Sequence, residues 1–363
     1  MLIGKNKLAQ SPYSDLPDRS YWRTGVTNSD PAATTDFYIR KFPIKKTHRI
    51  ATAGSCFAQH IARNMRARGF KVLDVEPPPP RLSQETAMKF GHNIYSARYG
   101  NIYVVRQLLQ LFDEAFAPAP IDEEPWERDG RYFDPFRPNV EPRGLVSPEE
   151  VRQHRHQHLR AVRTMFTSAD IFIFTLGLTE SWMNAETGVV YPVAPGVIAG
   201  NYDPEIHVFK NFTSMEIRKD LRQFRAKLKR RNPRVKFLLT VSPVPLTATA
   251  SDHHVLPATI YSKSVLRTVA GEAAAEFPDV DYFPSYDLIA SHWSQGAFYN
   301  ANLRTVTDDG VGAAMRAFFL QHDPGAATAA ESTGSRPRAG AEAEEERDDE
   351  LVCEEMLLDA FAK

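Results

Sequence analysis

Little in this chain can hold it together covalently. Among 363 residues only Cys56 and Cys353 are cysteines, and a pair so far apart offers neither a disulfide framework nor a CxxC site. A chain of this length, one large or two modest domains, buries a core that needs neither disulfides nor a structural metal. Long apolar runs are missing too: no stretch approaches the roughly 18 residues of a membrane span. The opening MLIGKNKLAQSPYSDLPDRS lacks the apolar core of a secretory signal, which reads as a cytoplasmic address. Charge of one sign is also scarce. With 44 Lys+Arg against 45 Asp+Glu, the net charge is −1, so no field steers the protein to nucleic acid or anionic membrane. No Gly-rich phosphate cradle or dinucleotide fingerprint occurs, and no cofactor or metal is expected. A small-molecule or glycan-like substrate is the default that remains.

What is present is a strand-and-helix alternation. Short apolar runs at 48–54, 70–75, 170–177, 235–242 and 280–285 read as buried parallel strands. Helical patterns follow near 57–68, 104–116, 148–167, 213–231, 259–276 and 308–320. Ser147-Pro148 supplies an N-cap with proline at the first helical position, and Thr213 with Glu216 forms a capping box. The fold class is therefore α/β: a three-layer α/β/α, doubly wound, flavodoxin-like sheet of about five strands. Residues 1–45 form a polar arm with interspersed aromatics, and 46–323 the domain. Residues 324–350 make an acidic linker that cannot bury enough apolar surface to order itself. In 351–363, Leu351, Met356, Leu357 and Phe361 form a short apolar helix face suited to docking on this domain or on a partner. The Pro-, Tyr- and Arg-rich segments 76–103 and 118–146 exceed ordinary loop length and read as site-building insertions that carry specificity.

Ligands of doubly wound sheets bind at the carboxyl ends of the strands, which directs attention to GSCFA at 54–58. Gly54 permits a sharp turn, and Ser55 and Cys56 follow it at a helix N-terminus. The dipole and unbonded amides there lower a thiol pKa and stabilise an oxyanion. On the residues alone, a helix start with a small buried cysteine is an equal reading.

The strings TAGSCFAQHIA, SARYGNIY, FTLGLTESW, TVSPVPLTAT and YSKSVLR, in this order, resemble the motifs of the GSCFA family, which is grouped with the SGNH/GDSL hydrolases. The resemblance implies an esterase or acyltransferase working through an acyl-enzyme, with O-acetylated glycans or their precursors among the substrates. A gapless match of Gly54 to the superfamily's Gly-Asp-Ser block makes Cys56 the nucleophile, whereas a one-residue shift makes it Ser55. Gly100 then stands where a glycine amide helps the oxyanion hole, with Asn101 beside it as a second donor or a turn residue. GLTE at 177–180 replaces Gly-x-Asn-Asp, so Thr179 takes the asparagine's position and Glu180 the aspartate's. The Asp-x-x-His block has no counterpart, since Asn302 and Thr305 occupy its places. His254, with His253 and Asp252 beside it, is then the replacement base, and His207 the second choice. The missing block also supports a rival reading, a catalytically inactive fold that binds a saccharide or a protein.

Other patterns are weaker. His154 and His158 sit at i,i+4, a zinc-ligand spacing, but without a third ligand they read as a solvated helix face. Lys263 and Arg267, one helical turn apart, could hold a substrate carboxylate or phosphate, as could Arg98 and Arg106 around the Gly100 loop.

Overall fold

The computed structural model describes residues 11–323, 325 and 354–362, with side chains at the C-terminal end from 357 onward. Four parallel strands, β1 (Ile50–Gly54), β4 (Ile171–Leu176), β8 (Lys236–Val241) and β9 (Val280–Tyr282), lie in the order β1-β4-β8-β9. Gly54 is paired with Thr175, and Leu176 with Val241, so the carboxyl ends of the first three strands align along one edge.

Strand residues alternate between two cores. Ala51, Ala53, Phe172, Phe174, Phe237 and Leu239 face one; Ile50, Ile171, Ile173 and Leu238 face the other. This is the period-2 alternation of a sheet covered on both faces. Helices α3 (Val105–Phe116), α4 (Pro148–Ser168), α5 (Ser214–Arg231) and α6 (Val255–Glu276) cover the first core. Helices α1 (Phe57–Ala67), α7 (Ser285–Ala290) and α8 (Asp308–His322) cover the second, together with Tyr38, Phe42 and Ile44 of the N-terminal arm. A mixed α/β protein with a central parallel sheet between helical layers is thus the observed architecture. Two caps form as expected: Ser147 Oγ accepts from Glu150 N at 3.2 Å, and Thr213 and Glu216 cap each other.

Three expectations need correction. The segment 70–75 contributes only a single bridge, Val72 to Ile50, because Glu76 and the prolines that follow turn the chain away. The sheet therefore has four strands rather than five. Helix α6 starts at Val255, four residues early, since a proline at 257 is tolerated within a first turn. The insertion after β4 also holds an unforeseen antiparallel sheet, in the order β6-β5-β7: β5 (Glu180–Asn184), β6 (Val190–Tyr191) and β7 (His207–Asn211). A hairpin of β2 (Trp126–Arg128) and β3 (Arg131–Phe133) packs Trp126 on Tyr191, and α2 (Gln84–Lys89) is a short helix in the 76–103 segment.

At the C-terminal end, a 3-10 helix spans Glu354–Phe361, and its Leu358 and Phe361 line a cavity of the domain itself. Residues 1–10, Leu351, Cys353, the Met356 side chain and the 324–350 linker apart from Gly325 lie outside the described residues. No helix among the described residues is long and apolar enough to cross a membrane.

Candidate active site at the carboxyl edge of the sheet

At the end of β1 the chain turns through Gly54, whose φ of +139° is a backbone conformation that side-chain-bearing residues rarely adopt. A Cβ there would lie 2.7 Å from Thr175 N and closer still to Thr175 O, so β4 and β1 approach this closely only with glycine. Ser55 N donates to Thr175 O at 3.2 Å, which ties that amide to the sheet and removes it from any oxyanion hole. The Ser55 side chain lies beside Gly177, where an added Cβ would be 3.0 Å from Ser55 Cβ. Ser55 Oγ is buried without a hydrogen-bond partner, and so is Thr179 Oγ1. Thr175 Oγ1, opposite Gly54, is unpartnered as well, and three orphaned hydroxyls at one strand edge are unusual, because buried polar groups are nearly always paired.

Cys56 follows as the N-cap of α1, already helical at φ −51° and ψ −34°, and 5% exposed. Its side chain makes no capping bond to the helix. The segment 95–103 crosses the ends of β1 and β4 beside it. Ile102 N donates to Gly54 O at 2.9 Å, while Gly177 N and Leu178 N both donate to Tyr103 O. Buried Tyr95 directs its hydroxyl to Ser55 O at 3.0 Å and to Asn101 Oδ1, and Gln59 Nε2 lies 3.4 Å from that hydroxyl. Asn101 is thus buried at the turn, and Gly100 precedes it with φ +69°. Thr179 N donates to Ser262 Oγ at 3.0 Å.

Glu180 opens β5 and is nearly buried. Its Oε1 accepts from Thr249 Oγ1 at 2.9 Å. Burial raises its carboxyl above the usual range, against the opposing influence of the Thr249 bond and the nearby His253. It borders a cavity of about 280 Å³ whose lining includes Leu178.

Several expected site residues are engaged elsewhere. Exposed His254 caps α6, its Nδ1 accepting from Leu256 N at 3.1 Å. His207 Nδ1 accepts from Asp203 N at 3.0 Å and its ring packs on Tyr191. Arg98 braces the 76–103 segment, donating to Phe90 O, Val140 O and Glu141 Oε1, and Arg106 pairs with Asp220. Lys263 is buried and donates to Gly177 O at 2.7 Å, whereas Arg267 pairs with Asp287, so they form no shared anion site. Asn302 and Thr305 bond each other within a turn. His154 and His158 do not share a solvated face. His158 is fully buried with Nδ1 2.7 Å from Glu76, and burial, with Arg137 nearby, pushes it down to about 4.

A further histidine, His60, stands within TAGSCFAQHIA itself. His60 lies four residues after Cys56, and side chains at i and i+4 share one helix face and lean towards the N-terminus. Burial and the Arg63 charge push its pKa down to about 4, with Asp308 pulling the other way. Asp308 opens α8. The i,i+4 spacing of Cys56 and His60 was the available signal.

Fold and site together define a doubly wound α/β protein with a thiol-bearing turn at the end of its first strand. The GSCFA family profile matches residues 49–318, and the chain belongs to the GSCFA family. A search of curated proteins found no match.

Proposed function

We propose that this protein is an acyl-transferring hydrolase of SGNH type whose nucleophile is Cys56 and whose proton acceptor is His60. What supports this reading is their i,i+4 spacing, with Cys56 as the N-cap of α1 and His60 one turn into it, at the carboxyl edge of the parallel sheet, where such folds bind ligands. A histidine with a lowered pKa is neutral at pH 7 and able to accept a proton. As Cys56 Sγ bonds to the ester carbonyl carbon, its proton passes to His60. Collapse of the tetrahedral adduct breaks the C–O bond, and the leaving alkoxide takes that proton, giving a thioester and a free alcohol. Water or an acceptor hydroxyl, deprotonated by His60, then attacks the thioester carbon and restores the thiol. The Cys56 and Gly100 amides and the unpartnered Thr179 hydroxyl are the donors assigned to the oxyanion. Glu180 lines the neighbouring cavity.

Intact-mass spectrometry after brief exposure to p-nitrophenyl acetate tests this reading. An acetyl adduct on the native chain and on Ser55→Ala, lost in Cys56→Ala and mapped to residue 56, is the expected result. An adduct lost only in Ser55→Ala would move the nucleophile to the serine. No adduct and no p-nitrophenol release would favour a binding protein that keeps the fold without the chemistry.

A further inference from the structure

The cavity beside Glu180 has a composition unlike the rest of the edge. Leu178, Trp182, Val193, Phe209 and Leu246 give it apolar walls contributed by β5, β7 and the loops after β4, β6 and β8. Glu180, Thr249 and Ser181 are already bonded: Glu180 Oε1 accepts from Thr249, and Ser181 Oγ donates to Tyr191 O at 3.0 Å. An occupant therefore gains by burying carbon rather than by matching hydrogen bonds. A carboxylate there disfavours an anion, and the apolar walls make burying a charge of either sign costly, so the occupant is neutral.

Position links the cavity to the nucleophile turn. Gly177 packs against Ser55, and Leu178, the next residue, lines the cavity. The link is through the chain, since Ser55, Cys56 and His60 are not themselves among the residues that line the cavity. Its outer wall is the C-terminal helix Glu354–Phe361, which supplies Leu358 and Phe361. Phe361 stays 65% exposed, and about 280 Å³ remains open beside it, so this segment walls the cavity without filling it.

We propose that this cavity binds a neutral, medium-length aliphatic chain and that the C-terminal helix closes over it. Under the acyl-transfer reading, on which this assignment of role rests, the chain is the acyl group of the ester.

The test is direct binding of octanamide and propanamide, neutral acyl mimics without an ester leaving group, to the full chain by calorimetry. Octanamide is expected to bind at least tenfold more tightly than propanamide. Ala248→Trp, which fills the cavity from an exposed loop position, should abolish that preference, and Phe361→Ala, which removes the wall, should weaken octanamide several-fold. Equal binding of the two amides, or a preference untouched by both variants, overturns the proposal. Octanamide binding without acylation by any ester would keep the cavity's assignment and remove the enzyme reading. Acylation by p-nitrophenyl acetate without octanamide preference would do the reverse.

Discussion

Lys263 Nζ, buried on α6, donates to the carbonyl oxygen of Gly177 at 2.7 Å. The bond ties α6 to the loop whose glycine packs against Ser55. Lys263→Met leaves that carbonyl without this donor and should cost about 1–3 kcal/mol of stability, the usual penalty for orphaning a buried acceptor. Urea unfolding measures it. Acylation should slow as well, because the loop that carries Thr179 loses a support; unchanged stability and rate would show that the tie is dispensable.

Gly54→Ala places a methyl group against the Thr175 backbone in a conformation with φ +139°. Strain of about 1–3 kcal/mol from the dihedral alone, added to the clash, should lower the melting temperature sharply or prevent soluble expression. A variant as stable as the native chain would mean that β1 and β4 can separate without penalty.

His60→Gln should reduce the acylation rate about 100-fold or more, the usual contribution of a positioned base. Because the folded-state pKa lies near 4, the neutral form predominates at higher pH. The rate should therefore hold from pH 7 to about 5 and fall with an acid limb near 4. An acid limb near 6.5, or a Gln variant of native activity, would assign the base elsewhere.

His322, buried at the end of α8, accepts from Ile44 N through Nδ1 at 3.1 Å, and burial and the Arg40 charge push it down to about 3. The unfolded chain protonates this ring below about 6.5 while the folded one does not, so its linkage removes stability as pH falls through that window. His322→Asn keeps an acceptor for Ile44 N but cannot titrate. Between pH 7 and pH 4.5 the native chain should lose about 2 kcal/mol more than this variant in urea unfolding. Equal losses would mean that the ring is protonated within the fold.

Backbone features at the site were legible because local rules set them. GSCFA could be read as a strand end, a turn and a helix start from the glycine and the apolar periods on either side, and the pairing of Thr213 with Glu216 from their spacing alone. The partners of long polar side chains were not legible. Lys263 and Arg267 look alike on a helical wheel, yet one is buried under a strand end and the other pairs with Asp287. His254 falls on the right edge of the sheet but caps its own helix, and Arg98 braces a loop 42 residues away in sequence. The β5–β7 sheet was missed because its strands are short and half-buried, with little period to detect.

The sequence by itself determined the α/β class, the helix caps, the cores on either side of the sheet and the glycine at which β1 turns, since each follows from side-chain period or backbone sterics over a few residues. Only the tertiary structure decided which polar groups meet. It placed Tyr95 against Ser55, buried Lys263 beneath Gly177, set α8 near His60 and seated Leu358 and Phe361 at the cavity beside Glu180. Those contacts join residues as many as about 250 positions apart, and such pairings depend on how whole layers pack rather than on any local preference.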